Sequence, residues 1–160
     1  MISHEKALEL LKRYNLPEGL YLHSLAVNKF SVELAQNLIK KGKKVNLALV
    51  DLASLLHDIG KIKAKEKDED HALTGANILI NENLAELADI VRKHRLDSVL
   101  GNDSPLTIEE KIVYYADKVV DQEFLGLEKR ADGWKKRYPN VDALLKKVYP
   151  KIKEIEKELI

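Results

Sequence analysis

The 160-residue chain contains no cysteine. That absence removes disulfides, thiolate metal sites and cysteine nucleophiles at once, leaving histidine and carboxylates as the strong ligands. An excess of charge of one sign is also missing: 27 basic residues face 26 acidic ones, for a net charge of +1. Bulk electrostatics therefore ask for neither nucleic acid nor an anionic membrane, and any anionic substrate must be met locally. No apolar run approaches the roughly 20 residues of a membrane span. The first residues, MISHEKALEL, are charged where a secretory signal would be apolar, so a soluble cytoplasmic protein without membrane contact is expected. With no internal repeat, low-complexity tract or linker, residues 1–160 are read as one domain with its own core. One methionine beside abundant lysine and glutamate points to a thermophilic source.

What is present is helical periodicity. Apolar residues recur at steps of three and four nearly everywhere, and no strand-length alternation interrupts them. The expected fold is all-α, a single-domain bundle of about seven to eight helices. Ser3, Asn46, Asp70 and Thr107 supply N-caps, and Glu110, three residues after Thr107, completes a capping box. Helices are expected from Ser3 to about Tyr14, Pro17 to about Lys41, Asn46 to about Asp58–Gly60, and Asp70 to about Ile80. Others run from Asn81 or Asn83 to about His94, Thr107 to about Val120, Leu127 to Tyr138, and Val141 to Glu158. The charged segment KIKAKEKDED, Lys61 to Asp70, reads as a solvated loop, and RLDSVLGNDSP, Arg95 to Pro105, as the other long loop. The motif-bearing core covers about 18–122 and the closing helices 123–160.

The chemistry-bearing residues sit at awkward places. His23 lies in the stripe Leu20, His23, Val27, Phe30, Leu34, Leu38 and so points inward; alone, it reads as a hydrogen-bonded core histidine. The stretch LLHDIGK, Leu55 to Lys61, puts His57 and Asp58 at the end of a helix that is apolar on almost every side. A buried Asp58 without a counter-charge is costly enough to force its protonation, so it needs a partner, either Lys61 or a metal ion. Asp117 repeats the problem, with Lys118 or Lys61 as the plain ion-pair partner. His71 and His94 fall at a helix start and a helix end, where a solvated or capping role is the plain reading. His4 reads as a surface residue. Together, four histidines and two acids on separate helices match the way helical bundles build metal sites from inward-projecting side chains.

The ordered series His23, His57-Asp58, His71, His94, Asp117 resembles the HD superfamily of metal-dependent phosphohydrolases. In particular it resembles the HDIG subgroup, whose namesake residues are here His57, Asp58, Ile59 and Gly60. The likeness extends over about Leu20 to Val120 and includes HALTGANIL and EEKIVYYADKVVD. It implies an HD-domain helical bundle in which His23, His57, Asp58 and Asp117 hold one divalent metal. His71 and His94 match members with a second metal, with Asp58 bridging the pair. The resemblance further implies Asp58 and Lys61 as catalytic groups, with Lys61 pairing with Asp58 and contacting substrate phosphate. Arg95 and Lys118 are further candidates for phosphate contact. Iron or manganese is favoured by the family likeness, while cobalt, nickel, zinc and magnesium suit the same donors.

The implied activity is hydrolysis of a nucleotide or other small phosphoester or phosphoanhydride through a metal-bound hydroxide. The Glu-Asp dipeptide of guanosine tetraphosphate hydrolases does not follow the HD pair, and the Gly-Tyr-Pro of cyclic di-GMP phosphodiesterases occurs nowhere. Two other readings stand beside the hydrolase: an HD-type di-iron oxygenase, and a non-catalytic metal- or nucleotide-binding module. In EFLGLEKRADGWKKRYPN, Glu123 to Asn140, basic residues mix with Trp134 and Tyr138. That segment reads as a closing helix with solvated lysines and arginines, or alternatively as a surface for nucleobase stacking. The stripe Ile152, Ile155, Leu159 covers either the core or the second subunit of a homodimer.

Overall fold

Capping side chains start four of the helices in this computed structural model, which describes residues 1–160. Ser3 Oγ accepts from Lys6 N at the start of α1 (His4–Arg13), and Asn46 Oδ1 accepts from Leu49 N at the start of α3 (Leu47–Leu56). Asp70 accepts from Ala72 N and Leu73 N to begin α5 (His71–Asn81), and Thr107 and Glu110 form a reciprocal capping box on α7 (Ile108–Val119). Each such cap contributes about 1 kcal/mol by satisfying amides that the helix itself cannot. Pro17 stands at the N-cap of α2 (Glu18–Lys40), and Gly42, at φ +83°, lies just beyond its end. The remaining helices are α4 (Lys61–Lys67), α6 (Ala85–Arg92), α8 (Leu127–Arg137) and α9 (Asp142–Leu159), with a 3-10 turn at Leu96–Leu100. The fold is all-α, and no helix is long and apolar enough to cross a membrane.

Three local expectations give way to the structure. Lys61–Lys67 is a helix, not a loop, because Lys, Ala and Glu are good helix formers and Ala64 buries its methyl at 2 % exposure. Its charge marks a solvated face, and the helix stops where Asp68 turns left-handed at φ 53°. The loop after His94 contains the 3-10 turn, anchored by buried Val99. Neither Asn81 nor Asn83 caps α6; Asn83 is left-handed at φ 62° and Leu84 occupies the N-cap without a side-chain bond.

The helices enclose two apolar cores. One joins Val27, Leu34 and Leu38 of α2 to Ile112 and Tyr115 of α7, and to Val148 and Ile152 of α9. The other joins Leu11 of α1 to Leu52, Leu55 and Leu56 of α3, Leu79 of α5, and Leu87 and Val91 of α6. Each such fully buried aliphatic side chain contributes roughly 1.5–3 kcal/mol. The α9 stripe is spent on the first core, since Ile152, Ile155 and Leu159 are all buried within the chain. His4 is not a free surface group: its Nδ1 lies 3.0 Å from Asp51 Oδ1, the oxygen that also accepts from Asn28 Nδ2 at 2.9 Å. That bond fastens α1 to α3.

Candidate metal centre

Five helices bring the six singled-out residues to one place between the cores: His23 from α2, His57 and Asp58 from the end of α3, His71 from α5, His94 just past α6, and Asp117 from α7. Asp58 lies among the four histidines and divides its oxygens between them. Its Oδ2 is 3.4 Å from His57 Nε2 and 3.7 Å from His23 Nε2. Its Oδ1 is 3.4 Å from His94 Nε2 and 3.9 Å from His71 Nε2. Asp117 Oδ1 closes the first group, 3.0 Å from His23 Nε2 and 3.3 Å from His57 Nε2. The donor atoms of His23, His57 and Asp58 all lie within 4.8 Å of one another, as do those of Asp58, His71 and His94.

Backbone carbonyls aim three of the rings. His57 Nδ1 donates to Ser54 O at 2.7 Å, His94 Nδ1 to Val91 O at 2.6 Å, and His23 Nδ1 to Asp121 O at 2.7 Å. A carbonyl only accepts, so each Nδ1 carries the hydrogen, and in the neutral ring each Nε2 presents its lone pair to the cluster. His57 and His94 use one device: each closes the last turn of a helix by bonding the carbonyl three residues back. This is the outer support that histidine metal ligands ordinarily have.

Lone pairs facing carboxylates repel unless a cation lies between them. Among these side chains alone, that cation is a proton: burial opposes it, but the Asp58 and Asp117 carboxylates raise His57 to about 10. Burial works to raise Asp58, yet His57, His94 and Lys61 hold it well below the usual carboxylate range. Asp117 is likewise low, with burial outweighed by Lys118, His23 and His57. In the other group, burial and neighbouring His94 push His71 down to about 4, and burial lowers His94. His57 Nε2 and Asp58 Oδ2 are buried without a hydrogen-bond partner. On the other side of the carboxylate His71 Nε2 and His94 Nε2 lie 3.1 Å apart. An orphaned nitrogen and oxygen on one side and a pair of imidazoles on the other fit divalent transition ions.

The three cations marked in the sequence occupy different settings. Lys61 Nζ is 3.0 Å from Asp58 Oδ2, close enough for an ion pair but without hydrogen-bond alignment, and its side chain remains 37 % exposed. Lys118 is buried and fully engaged, donating to Asp117 Oδ2 and to His94 O. Arg95 donates to Asp70 Oδ2 at 2.6 Å and Asp97 Oδ2 at 3.0 Å, tying the cap of α5 to the 3-10 turn. All three line a cavity of about 220 Å3 above the cluster, with one wall from Arg130, Trp134 and Arg137 of α8 and Tyr138 just past it, and with Leu96 and Val141 completing the rim. Arg130 and Arg137 are not among the residues singled out from the sequence; the signal for them is their spacing from Trp134 by four and three residues.

A histidine–carboxylate cluster at the seam of five helices has the architecture in which helical bundles build metal sites, and its donor atoms are close enough together to hold an ion. The chain belongs to the HD domain family, which matches residues 20–120, and thereby to the HD superfamily of metal-dependent phosphohydrolases. It is 35% identical over 131 residues to an uncharacterized protein of Methanocaldococcus jannaschii, covering 74% of this chain and 76% of that one. It is 28% identical over 167 residues to a tRNA (cytidine(56)-2'-O)-methyltransferase of Picrophilus torridus, covering 96% of this chain. Of that second relative's length the chain spans only 47%. No solved structure matches the chain.

Proposed function

We propose that the protein is a phosphohydrolase that uses two divalent ions to cleave a small phosphoester or phosphoanhydride, with a nucleotide as the leading substrate class. The observation that carries this reading is Asp58, buried to 1 % exposure with one oxygen turned to His23 and His57 and the other to His71 and His94. A single metal site would not need a carboxylate served on both sides. In this reading His23, His57, Asp58 and Asp117 are the ligands of one ion, and Asp58, His71 and His94 those of the second. Iron or manganese is the favoured metal, on family grounds.

Such ions, when bound, supply an activated water and neutralise charge developing on a phosphoryl group. The protein's own contributions follow from the geometry. Carbonyl bonds to the three Nδ1 atoms hold His23, His57 and His94 in the ligating tautomer. Lys118 orients Asp117 from behind. Lys61, partly exposed beside Asp58, is placed to bind a phosphate oxygen. His23, His57, Asp58 and His94 are buried, while His71 keeps a third of its side chain exposed on the side of the cavity. The methyltransferase activity of the Picrophilus relative belongs to a protein that extends well beyond the part this chain covers. A cytoplasmic setting belongs to the same reading, with the lack of cysteine as its support.

The test is elemental mass spectrometry of the protein purified without added metal, paired with phosphate release from a panel of nucleotides and sugar phosphates with and without chelator. About two transition ions per chain and chelator-sensitive release are expected. Bound iron with no release would favour oxygenase chemistry, and no metal after reconstitution would sink the proposal.

A further inference from the structure

The family match ends at residue 120, yet one wall of the cavity is built after it, by α8. Arg130, Trp134 and Arg137 recur at steps of four and three, so they share the face of α8 that looks onto the cluster, and Tyr138, extended just past the helix end, adds to the wall. Leu127 and Ala131, buried on the same helix, fix that orientation by packing into the core beside α7. None of the wall residues belongs to the two donor groups, so the chemistry that their side chains turn to the cavity concerns what enters.

Two features of the wall define the entrant. Trp134 is half-buried and lines the cavity, with the Arg130 guanidinium 5.1 Å from its ring centroid. Arg130 is itself held against α7, donating to Asp121 Oδ1 at 3.2 Å and to the Asp117 carbonyl at 3.3 Å. The indole is thus braced from the ligand-bearing helix and not left to swing. Among the cavity cations, Lys61, Arg95, Lys118 and Arg130 all have acidic partners, whereas Arg137 makes no ion pair and is exposed. A braced aromatic surface next to an unpaired guanidinium, above a phosphate-binding centre, suits an anion that carries a flat ring.

Size supports the same conclusion. The cavity, about 220 Å3, is smaller than the roughly 300–1,000 Å3 of typical small-molecule pockets. A phosphate that reaches the cluster therefore leaves the rest of its molecule at the mouth, against α8. We infer that α8 is the specificity wall of the protein and that it selects a nucleoside monophosphate, the base stacking on Trp134 and Arg137 meeting the phosphate as it enters. This inference rests on the phosphoester reading of the centre, and it adds the group that the phosphate must carry.

Trp134 is the single tryptophan of the chain, so intrinsic fluorescence reports directly on this wall. The experiment titrates the full chain, in magnesium, with AMP and with ribose 5-phosphate, which has the same phosphate and sugar but no base. AMP is expected to quench Trp134 saturably and ribose 5-phosphate is not. In parallel, the KM for AMP relative to that for ribose 5-phosphate is expected to rise on the order of tenfold in Trp134→Leu and to return in Trp134→Phe. Arg137→Gln should raise both KM values together. Equal fluorescence responses to the two ligands, with an unchanged KM ratio in Trp134→Leu, would overturn the inference while leaving the hydrolase standing. Base-dependent quenching without phosphate release would do the reverse. No response to AMP and no release from it would overturn the wall as a nucleotide site.

Discussion

Gly60 and Gly75 lie in backbone contact: a Cβ built on Gly60 falls 2.8 Å from Gly75 Cα and closer still to Gly75 N and His71 O. The turn that carries His57 and Asp58 thus rests directly on the first turns of α5, which begins with His71. None of the blocking atoms belongs to a side chain that can step aside. Gly60→Ala is therefore expected to push α5 away, costing about 1–3 kcal/mol as an overpacked contact and separating His71 from Asp58. Urea denaturation reads the first effect and metal stoichiometry the second. Gly75→Ala provides the contrast. Its Cβ is tight only against Val91 Cγ1 at 3.1 Å, with Gly60 N and Ile59 Cγ2 at ordinary contact of 3.5 and 3.6 Å, and alanine gains about 1 kcal/mol of helix propensity over glycine, so a near-neutral result is expected. A wild-type midpoint for Gly60→Ala would show that the two backbones part at no cost.

Lys118 tests whether a cavity-lining cation serves the substrate or the fold. Its side chain is 4 % exposed and donates to both the Asp117 carboxylate and the His94 carbonyl. Lys118→Met keeps most of the buried stem but leaves Asp117 without its cation. Removing one partner of a buried pair costs about 3–5 kcal/mol. The lower end is expected, because His23 and His57 remain beside Asp117. Thermal and chemical denaturation should show this loss in protein stripped of metal. A variant of normal stability with a raised KM would instead make Lys118 a phosphate contact, the part considered for it from the sequence.

Away from the centre, Tyr115 and Glu156 give a prediction in pH. Tyr115 Oη donates to Glu156 Oε2 at 2.7 Å, joining α7 to α9, and Lys153 pairs with the other carboxylate oxygen. Burial works to raise Glu156, but those two bonds outweigh it and hold it below its ordinary 4.5. The sign follows from that depression. The carboxylate's contribution is complete above the unfolded value and is lost as pH falls through the lower folded value. Tyr115→Phe should therefore cost about 1 kcal/mol near neutral pH, and its deficit against wild type should shrink below about pH 4. A deficit independent of pH would mean that the hydroxyl contributes through packing alone.

The sequence carried the site better than it carried the connections. His23 was legible because the stripe from Leu20 to Leu38 points it inward, and His57-Asp58 because a helix apolar on almost every side ended in a charge. Those are burial signals, and burial is what the hydrophobic pattern encodes. Lys61–Lys67 was misread because its composition is that of a solvated loop and also of a solvated helix; only the buried methyl of Ala64 and the contact of Gly60 with α5 decide between them. The start of α6 was missed for a related reason. Asn83 looks like a cap but spends its tolerance of left-handed backbone on the turn before Leu84. The wall from α8 was half visible, since Trp134 and Tyr138 stood out in a basic segment. Which way that helix faced depended on Leu127 and Ala131 packing beside α7, a tertiary fact.

Asp58 is the residue on which the two-ion reading stands, and Asp58→Ala separates that reading from a purely structural one. With the carboxylate gone, the proton on His57 loses its nearest partner and both donor groups lose their shared member. If Asp58 bridges, both ions and all phosphate release are lost together, while helicity by circular dichroism is largely retained because neither apolar core contains Asp58. Metal retained at wild-type stoichiometry would sink the bridging assignment. Lys61→Ala is the paired control: its ammonium touches Asp58 Oδ2 but belongs to neither donor group. It should keep the metal and weaken the handling of phosphate, seen as a raised KM or a lowered kcat. Unchanged kinetics would remove Lys61 from the site.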